Sequence, residues 1–572
     1  MNGVEMSGGD QAWDMDVDVL VVGSGAGGLL AAVVAAHHHA KVLVIEKSDE
    51  YGGTSATSGG GVWIPNSPLA PPDLHQDSPD DAFRYIRALS DVSVPDENIR
   101  AYVQWAPEML RWLTANTPVR YKSQPYIDYH AEVPGGKLGY RTHLPEPMDG
   151  RLLGPDMLDL RSTSPAASLF GVINWQLSET FALLFRPKGW VRTAARMVAR
   201  YYGDLPHRFR SRKDRFLTLG TALVGGLRLA AKQRSVPLWL RTRLLELVAE
   251  EGRVVGAVVQ QDGRKLRIRA RRGVVLAAGG FERNPEMRQQ HMPAVPVPTV
   301  SGSQENNTGD SIRAATAIGA ATMNLHMAWW APVFSIPGES RGRLSTIERA
   351  LPGSVLVNQA GRRYLNEAAS YHVVGRQMID ADRPDARTNP SWLVFDAIFR
   401  RTYPVGPILP LLPDWVLSAP LRSILKKAST IDGLARAIGV PAATLRETVG
   451  RFNTGARQGV DPEFGRGAQA YDRMFGDQRV QPNPSLGPIE TAPFYAIPMH
   501  AGDIGTCGGL KTNADAQVLG TDGLPIAGLY AVGNNAASVM GGSYPGAGST
   551  LGPSMTFGFV AARHATGANV PA

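Results

Sequence analysis

Val17-Asp18-Val19-Leu20-Val21-Val22-Gly23-Ser24-Gly25-Ala26-Gly27-Gly28-Leu29, read on as far as Glu46, is the stretch that decides the fold. Val17 to Val22 reads as a short buried parallel strand, Gly23 to Gly28 as a G-x-G-x-x-G turn, and Leu29 to Ala36 as an Ala-rich helix. A second strand, Val42 to Ile45, ends in Glu46, eighteen residues beyond Gly28. A glycine turn alone is a weak signal. Set between a strand and a helix and followed by an acidic strand end, it is a dinucleotide-binding βαβ unit. The helix N-terminus meets the pyrophosphate, and the Glu46 carboxylate is placed to accept both hydroxyls of an adenosine ribose. Gly23, Ser24, Gly25, Ala26, Gly27, Gly28 and Glu46 are therefore candidate cofactor-binding residues.

Lys47-Ser48-Asp49-Glu50-Tyr51-Gly52-Gly53-Thr54-Ser55-Ala56-Thr57-Ser58-Gly59-Gly60-Gly61 follows directly. Glycines interleaved with hydroxyls let backbone N–H groups approach a diphosphate and a flat ring edge that larger side chains would obstruct. The stretch resembles the fumarate reductase and succinate dehydrogenase flavoprotein superfamily, which implies FAD. Lys47, Gly53, Thr54, Ser55, Ser58, Gly59, Gly60 and Gly61 join the cofactor set on that resemblance. Superfamily members that bind flavin covalently use a histidine in this loop; residues 47–63 contain none, so the expected FAD is non-covalent.

At 572 residues the chain exceeds one typical core, and two domains are expected. The single cysteine, Cys507, excludes an intramolecular disulfide and a cysteine-based metal site, which suits a reducing cytoplasm. Cys507 reads as a small residue in a tight flavin-facing turn, and the His37-His38-His39 triplet as the exposed end of a helix; no metal site is expected. Residues 1–16 lack a basic start and an apolar run, so no secretory signal is expected, and no apolar run reaches the length of a transmembrane helix.

The net charge of +8 is unevenly placed. Residues 186–215 hold ten basic and two acidic side chains, with Lys188, Arg192, Arg196 and Arg200 on one helical stripe. Trp190, Val191, Ala194, Met197, Val198 and Tyr201 supply an apolar side. A second apolar stretch, Val405 to Leu425, carries Ile408, Leu409, Leu411, Leu412, Trp415, Val416 and Leu417 and is followed by Lys426 and Lys427. Together they predict a monotopic surface on an anionic bilayer, at the inner face of the cell membrane. No nucleic-acid fold accompanies the basic stretch, so nucleic acid is not an expected partner.

Strand-like segments set the organisation. Gly273 to Glu282 reads as a returning cofactor-domain strand, with Ala278 and Gly279 near the diphosphate, preceded by a hairpin over Leu238 to Gln260 that carries Leu244. From about Glu305 the character changes: Asp310 opens a helix, and Ala328-Trp329-Trp330-Ala331-Pro332 begins a bulky segment. The last cofactor-domain strand is Gly528 to Asn534, with Gly533 and Asn534 as cofactor residues, and Pro553 starts a C-terminal helix. The expected architecture is α/β: a Rossmann-like FAD-binding domain split between 1–304 and 501–572, with a basic insert at 165–216 and an α+β substrate domain at 305–500.

Gly541-Gly542-Ser543-Tyr544-Pro545-Gly546-Ala547-Gly548-Ser549-Thr550-Leu551-Gly552-Pro553 resembles the C-terminal signature of the 3-ketosteroid Δ1-dehydrogenases. Gly61-Val62-Trp63-Ile64-Pro65-Asn66, Asp128-Tyr129 before Pro134-Gly135-Gly136, and Gly361 to Glu367 leading to Tyr371 are similar to the same family. Gly542, Ala547 and Ser370 depart from its usual residues, and bear on steroid preference. The resemblance implies oxidation of a 3-oxosteroid ring A to the 1-ene, in steroid catabolism, with quinone or another electron acceptor. It implies that the Tyr544 hydroxyl and the Gly548 N–H donate to the C3 oxygen, that Tyr371 takes the proton from carbon 2, that Tyr129 supports Tyr371 with Tyr126 as rival, and that flavin N5 accepts the carbon 1 hydride. Leu244, Asp310, Gly548, Thr550 and Leu551 would contact FAD. A 3-oxosteroid Δ4(5α)-dehydrogenase or related flavin-dependent reductase shares this flavin site, and a non-catalytic flavin-stabilised sterol-binding protein would share it too.

Overall fold

The computed structural model describes residues 12–74, 76–293 and 300–568; most of the segment read for a secretory signal, residues 1–11, lies outside them. β1 (Met15–Val22), α1 (Ala26–His37) and β2 (Val42–Ile45) form the opening βαβ unit. β1 and β2 run parallel, from Val19 beside Val42 to Val22 beside Ile45. Both faces of β2 are buried, which explains its unbroken apolar run. α1 starts at Ala26, inside the glycine turn, because the Leu29 N–H already donates to the Gly25 carbonyl. It ends at His37, and His37 and His39 are exposed, so the triplet forms the outer end of the helix.

The insert contributes α2 (Trp190–Tyr202), after which α3 (Leu219–Gln233) leads back to the sheet. β3 (Leu238–Trp239) joins β2 in parallel, while β4 (Thr242–Glu250) and β5 (Arg253–Gln261) pair as an antiparallel hairpin. β6 (Arg264–Leu276) then lies parallel to β1. The strand expected from Gly273 to Glu282 thus begins at Arg264 and stops at Leu276; its apolar end is the part buried beside β1, and its polar start pairs with β5.

A second, six-stranded antiparallel sheet comprises β7 (Ala328–Phe334), β8 (Arg343–Leu344), β9 (Ser354–Val357), β10 (Ser391–Phe395), β11 (Lys426–Ala428) and β12 (Phe494–Thr506). All seven residues of β7 are buried: one side meets β12, and α4 (Tyr371–Asp380) packs against the strand so closely that a Cβ at Gly375 would lie 2.4 Å from the Ala331 nitrogen. The chain returns to the first sheet through β13 (Gln517–Leu519) and β14 (Pro525–Ala531), the latter parallel to β6. It ends in α5 (Leu551–Thr566), which packs on α1. This helix starts two residues before Pro553; proline fits its first turn because that N–H has no intrahelical partner.

The basic stripe is less regular than its spacing predicts. Lys188 precedes α2, and Arg200 turns inward, donating to Glu179 at 2.8 Å and lying over the Phe216 ring. Arg192, Arg196 and the apolar Val191 face solvent, while Met197 and Tyr201 pack on Leu169 and Ile173. The second apolar stretch is likewise divided: Val405, Ile408 and Leu417 are buried, and Leu411, Leu412, Trp415 and Val416 are exposed.

Candidate active site

A cavity of about 520 Å³ runs between the two sheets, and both ends of the chain reach it. Gly23, Ser24, Gly25, Ala26, Gly27, Glu46 and Lys47 line it, as do Gly53, Thr54, Ser55, Ser58, Gly59, Gly60, Gly61, Leu244, Ala278, Gly279, Asp310, Gly533, Asn534, Gly548, Thr550 and Leu551. Gly28 does not: a Cβ there would lie 2.3 Å from the Gly23 carbonyl oxygen, so this glycine serves the packing of helix on turn. Cys507 does not line the cavity either. It is buried between the Met327 carbonyl and the Ser538 N–H, which corrects its reading as flavin-facing.

One half of the cavity suits a dinucleotide. Gly23 sits at φ 107, and a Cβ there would lie 2.4 Å from the Ala277 carbonyl oxygen, so the turn requires glycine. Ser24 is held by Glu46, whose Oε2 accepts from the Ser24 hydroxyl at 2.6 Å and from its N–H at 3.2 Å, while the Ser48 N–H donates to Oε1. These bonds orient the carboxylate at the strand end where a ribose would meet it. Lys47 donates to Thr308 at 2.6 Å and to Asp310 at 3.1 Å, tying the loop to the helix that Asp310 begins.

Asp310 predicts an acid dependence. Burial opposes its ionisation, but Lys47 and then the Arg243 hydrogen bond outweigh it and hold the carboxyl at about 2. A folded pKa below the unfolded value stabilises the fold fully above pH ~4, and that stability is lost as pH falls through 2. Discounted for the solvent reaching the exposed Arg243, the contribution is about 1 kcal/mol. Unfolding measured from pH 6 to pH 2 is expected to show this loss in the parent and not in Asp310→Asn; equal acid sensitivity in the two proteins refutes the assignment.

At the other half, three tyrosines from distant segments meet. The ring centroids of Tyr371 and Tyr544 are 5.3 Å apart, those of Tyr129 and Tyr371 5.7 Å, and those of Tyr129 and Tyr544 5.6 Å. Tyr126 also lines the cavity but has its ring edge against Phe475. Burial, then Tyr129 and Tyr544, holds the Tyr371 hydroxyl well above its usual range, and burial does the same at Tyr129. Tyr544 is raised by burial against the Thr550 and Tyr371 hydroxyls, so it remains a phenol, able to donate. The Thr550 hydroxyl donates to the Tyr544 oxygen at 3.2 Å.

The Tyr544–Gly548 loop is held rigidly. The Tyr129 N–H and the Tyr85 hydroxyl both donate to the Pro545 carbonyl, at 2.9 and 2.7 Å, and the Thr142 hydroxyl donates to the Ala547 carbonyl. Gly548 has φ 102, and a Cβ would lie 2.5 Å from the Val62 carbonyl carbon. Its N–H has no partner among the described residues and so is free to meet a ligand oxygen. Behind Tyr129, the buried Asp128 accepts from Trp63 Nε1 at 2.8 Å and from Arg141 at 2.9 Å, and Arg141 also pairs with Asp77. Burial pushes the Asp128 carboxyl up to about 6 despite Arg141.

Sequence reasoning missed Tyr471, whose ring is 4.9 Å from Tyr129, and the lining residues Phe181, Ile347, Glu348 and Phe475. None lies in a glycine-rich or otherwise patterned stretch, so no local signal marks them. Lys47 is the only lysine or arginine among the described lining residues. Beside the tyrosines, Phe181, Phe475, Leu177 and Ile347 give an apolar lining interrupted by Thr180, Thr346 and Glu348.

Residues 18–551 match the family model described as FAD binding domain, so the glycine-lined half of the cavity is that of an FAD-dependent flavoprotein. The 3-ketosteroid Δ1-dehydrogenase of Sterolibacterium denitrificans, solved with 1,4-androstadiene-3,17-dione, is 44% identical, with a TM-score of 0.91 over 97% of this chain and all of that one. The 3-oxosteroid 1-dehydrogenase of Mycolicibacterium smegmatis is 39% identical over 96% of both chains. The 4-oxocyclohexanecarboxylate 2-dehydrogenase of Sinomonas cyclohexanicum is 37% identical over 96% of this chain and 93% of that protein. The chain belongs to the 3-oxosteroid (3-ketosteroid) Δ1-dehydrogenase family of FAD-dependent oxidoreductases.

Proposed function

We propose that this enzyme removes the carbon 2 proton and the carbon 1 hydride from ring A of a 3-oxosteroid, forming the 1-ene. The observation that carries the reading is the pairing of the unpartnered Gly548 N–H with the Tyr544 phenol on one wall, with Tyr371 5.3 Å from the Tyr544 ring. Two donors on a ketone oxygen stabilise the charge that develops when a neighbouring carbon loses a proton. Tyr371, as its phenolate, is the base, and Tyr129 supports it by donating its hydroxyl hydrogen to the phenolate oxygen. When bound, FAD supplies the two-electron acceptor for the hydride. Gly23 to Gly27, Glu46, Lys47, Gly53 to Gly61 and Asn534 would hold it, non-covalently, since no histidine or cysteine lines the cavity among the described residues.

The same wall separates steroids from carboxylated cyclohexanones. A carboxylate bound in an apolar cavity requires a cation, and Lys47, the only lysine or arginine among the described lining residues, is engaged by Thr308 and Asp310 at the dinucleotide half. Anaerobic mixing of the holoenzyme with 4-androstene-3,17-dione is expected to bleach the flavin and yield the 1,4-diene. Bleaching only with a 5α-reduced ketone moves the reading to Δ4(5α) oxidation, and bleaching only with 4-oxocyclohexanecarboxylate moves it to the small-ring reaction.

We keep as a proposal the division into a cofactor unit from 1–304 and 501–572 around a substrate unit at 305–500; what supports it is the antiparallel sheet with strands drawn from 328–506, whose last strand, β12, runs six residues past the boundary at 500. The enzyme is further proposed to dock on the inner face of the cell membrane, drawing sterol and quinone from it. Phe209 is 89% exposed and Trp415 78% exposed. They belong to neighbouring segments, since Leu409 packs on the cluster of Met197 and Tyr201 in α2. Arg192 and Arg196 lie exposed on the same insert, and Phe181 of that insert lines the cavity. No helix among the described residues is long and apolar enough to cross a membrane. Each aromatic side chain buried in the interface adds about 1.5–3 kcal/mol. Phe209→Asp with Trp415→Asp is therefore expected to weaken co-sedimentation with anionic vesicles by at least about 100-fold while leaving turnover of dispersed steroid intact. Unchanged sedimentation refutes docking by this face.

A further inference from the structure

His372 follows Tyr371 in the first turn of α4 and is 6% exposed. Its Nε2 lies 2.9 Å from the carbonyl oxygen of Gly542, two residues before Tyr544. A carbonyl oxygen only accepts, so Nε2 carries the proton and the ring donates. The contact joins segments 170 residues apart in the chain. The ring centroid is also 6.0 Å from that of Tyr544 and 6.3 Å from that of Trp329, so the imidazole is wedged beside the phenol that it braces. Burial pushes its pKa down to about 4, leaving it a neutral donor at working pH.

Within the turn, the Gly541 N–H donates to the Ser538 carbonyl at 3.0 Å and the Ser543 N–H and hydroxyl to the Met540 carbonyl at 3.0 and 2.8 Å; what ties the turn to α4 is the bond from His372 to Gly542. This residue adopts φ 80, and a Cβ there would lie 2.4 Å from the Met327 sulfur, so no side chain of its own can anchor the backbone at that point. The helix, by contrast, is fixed: Gly375 seats it directly on β7, and the Ser370 hydroxyl caps it by accepting from the Val373 N–H. A donor on the fixed helix gripping a carbonyl on the loop sets how far Tyr544 stands from Tyr371.

We propose that His372 is a positioning residue, a strut that sets the spacing between the Tyr371 base and the Tyr544 donor through its hydrogen bond to the Gly542 carbonyl. The inference rests on the roles given to Tyr371 and Tyr544 above. Displacing one of two groups that must meet the same ring by about 1 Å costs on the order of 100-fold in rate without loosening the rest of the binding site.

The test compares His372→Phe, His372→Gln and His372→Asn as FAD-loaded enzymes, reading anaerobic flavin reduction at saturating 4-androstene-3,17-dione, the KM for that steroid, and FAD content. Phe keeps the ring without the donor. Gln carries an amide N–H about as far out as Nε2, and Asn carries the same group too short to reach. His372→Phe and His372→Asn are expected to slow reduction by about 100-fold with KM within about threefold of the parent, and His372→Gln to recover most of the rate. Should the Phe variant fail to fold, the Gln and Asn pair decides alone. Equal rates in Gln and Asn, or a parent-like rate in Asn, overturn the strut. Tyr544→Phe measured alongside separates the two levels: if it too reduces at the parent rate, the site reading fails; if it is slow while His372→Asn is not, only the strut fails.

Discussion

Tyr371→Phe is expected to slow anaerobic flavin reduction by about 1,000-fold, within the span that general-base removal covers, and to abolish the rate's dependence on pH. The phenylalanine keeps the ring that packs against Tyr129 and Tyr544, so the steroid still binds and only the proton acceptor is lost. The pH argument follows from burial. Because the Tyr371 hydroxyl ionises well above its usual range, the reactive phenolate is a small fraction at neutral pH and grows about tenfold per pH unit. In the parent, the logarithm of the reduction rate should therefore climb with unit slope into the alkaline range. Rapid-mixing measurements across pH 6–10 give both numbers. A Tyr371→Phe enzyme that retains the slope shows that another group is the base, and Tyr129, whose hydroxyl is also raised by burial, becomes the candidate.

Tyr544→Phe should slow reduction by roughly 100- to 1,000-fold, the usual cost of removing one donor from a site that stabilises a developing oxyanion, while leaving the pH slope intact. The donor is lost and the base is not. The residual rate reflects the Gly548 N–H, which the substitution does not touch. Gly548→Ala is a poorer probe of the second donor, since its Cβ would lie 2.5 Å from the backbone of Val62 and force the loop to move. Measured at one pH, the two tyrosine variants differ only in degree; measured across pH they differ in kind. A Tyr544→Phe enzyme that loses steroid affinity in proportion to rate, with reduction at saturation unchanged, shows that Tyr544 holds the ketone equally in ground and transition states.

The βαβ unit was legible because its signals are local. Alternating valines, the glycines of the turn and Glu46 lie within thirty residues, and each has one physical purpose there. Boundaries were less so: β6 extends back to Arg264 because a polar strand can pair with β5, and hydropathy does not report pairing. The Tyr544–Gly548 loop was recognisable from its glycines, and Tyr371 and Tyr129 from the motifs around them. Arg200 misled because a helical stripe does not show that Glu179 draws one of its members inward.

The sequence alone determined the dinucleotide-binding unit, since its strand, glycine turn and acidic strand end depend on backbone freedom and on chemical groups that lie within thirty residues of one another; the roles proposed for Tyr371, Tyr544 and Gly548 came from resemblance to the family. Only the tertiary structure decided which tyrosine of Tyr126 and Tyr129 meets Tyr371, that Tyr471 joins them, that Cys507 faces away from the cavity, and that His372 grips the loop of Tyr544. Each of those contacts joins segments far apart along the chain. Their distances are set by how two sheets and their helices pack, and side-chain spacing across a packed interface leaves no periodic or compositional trace in either segment.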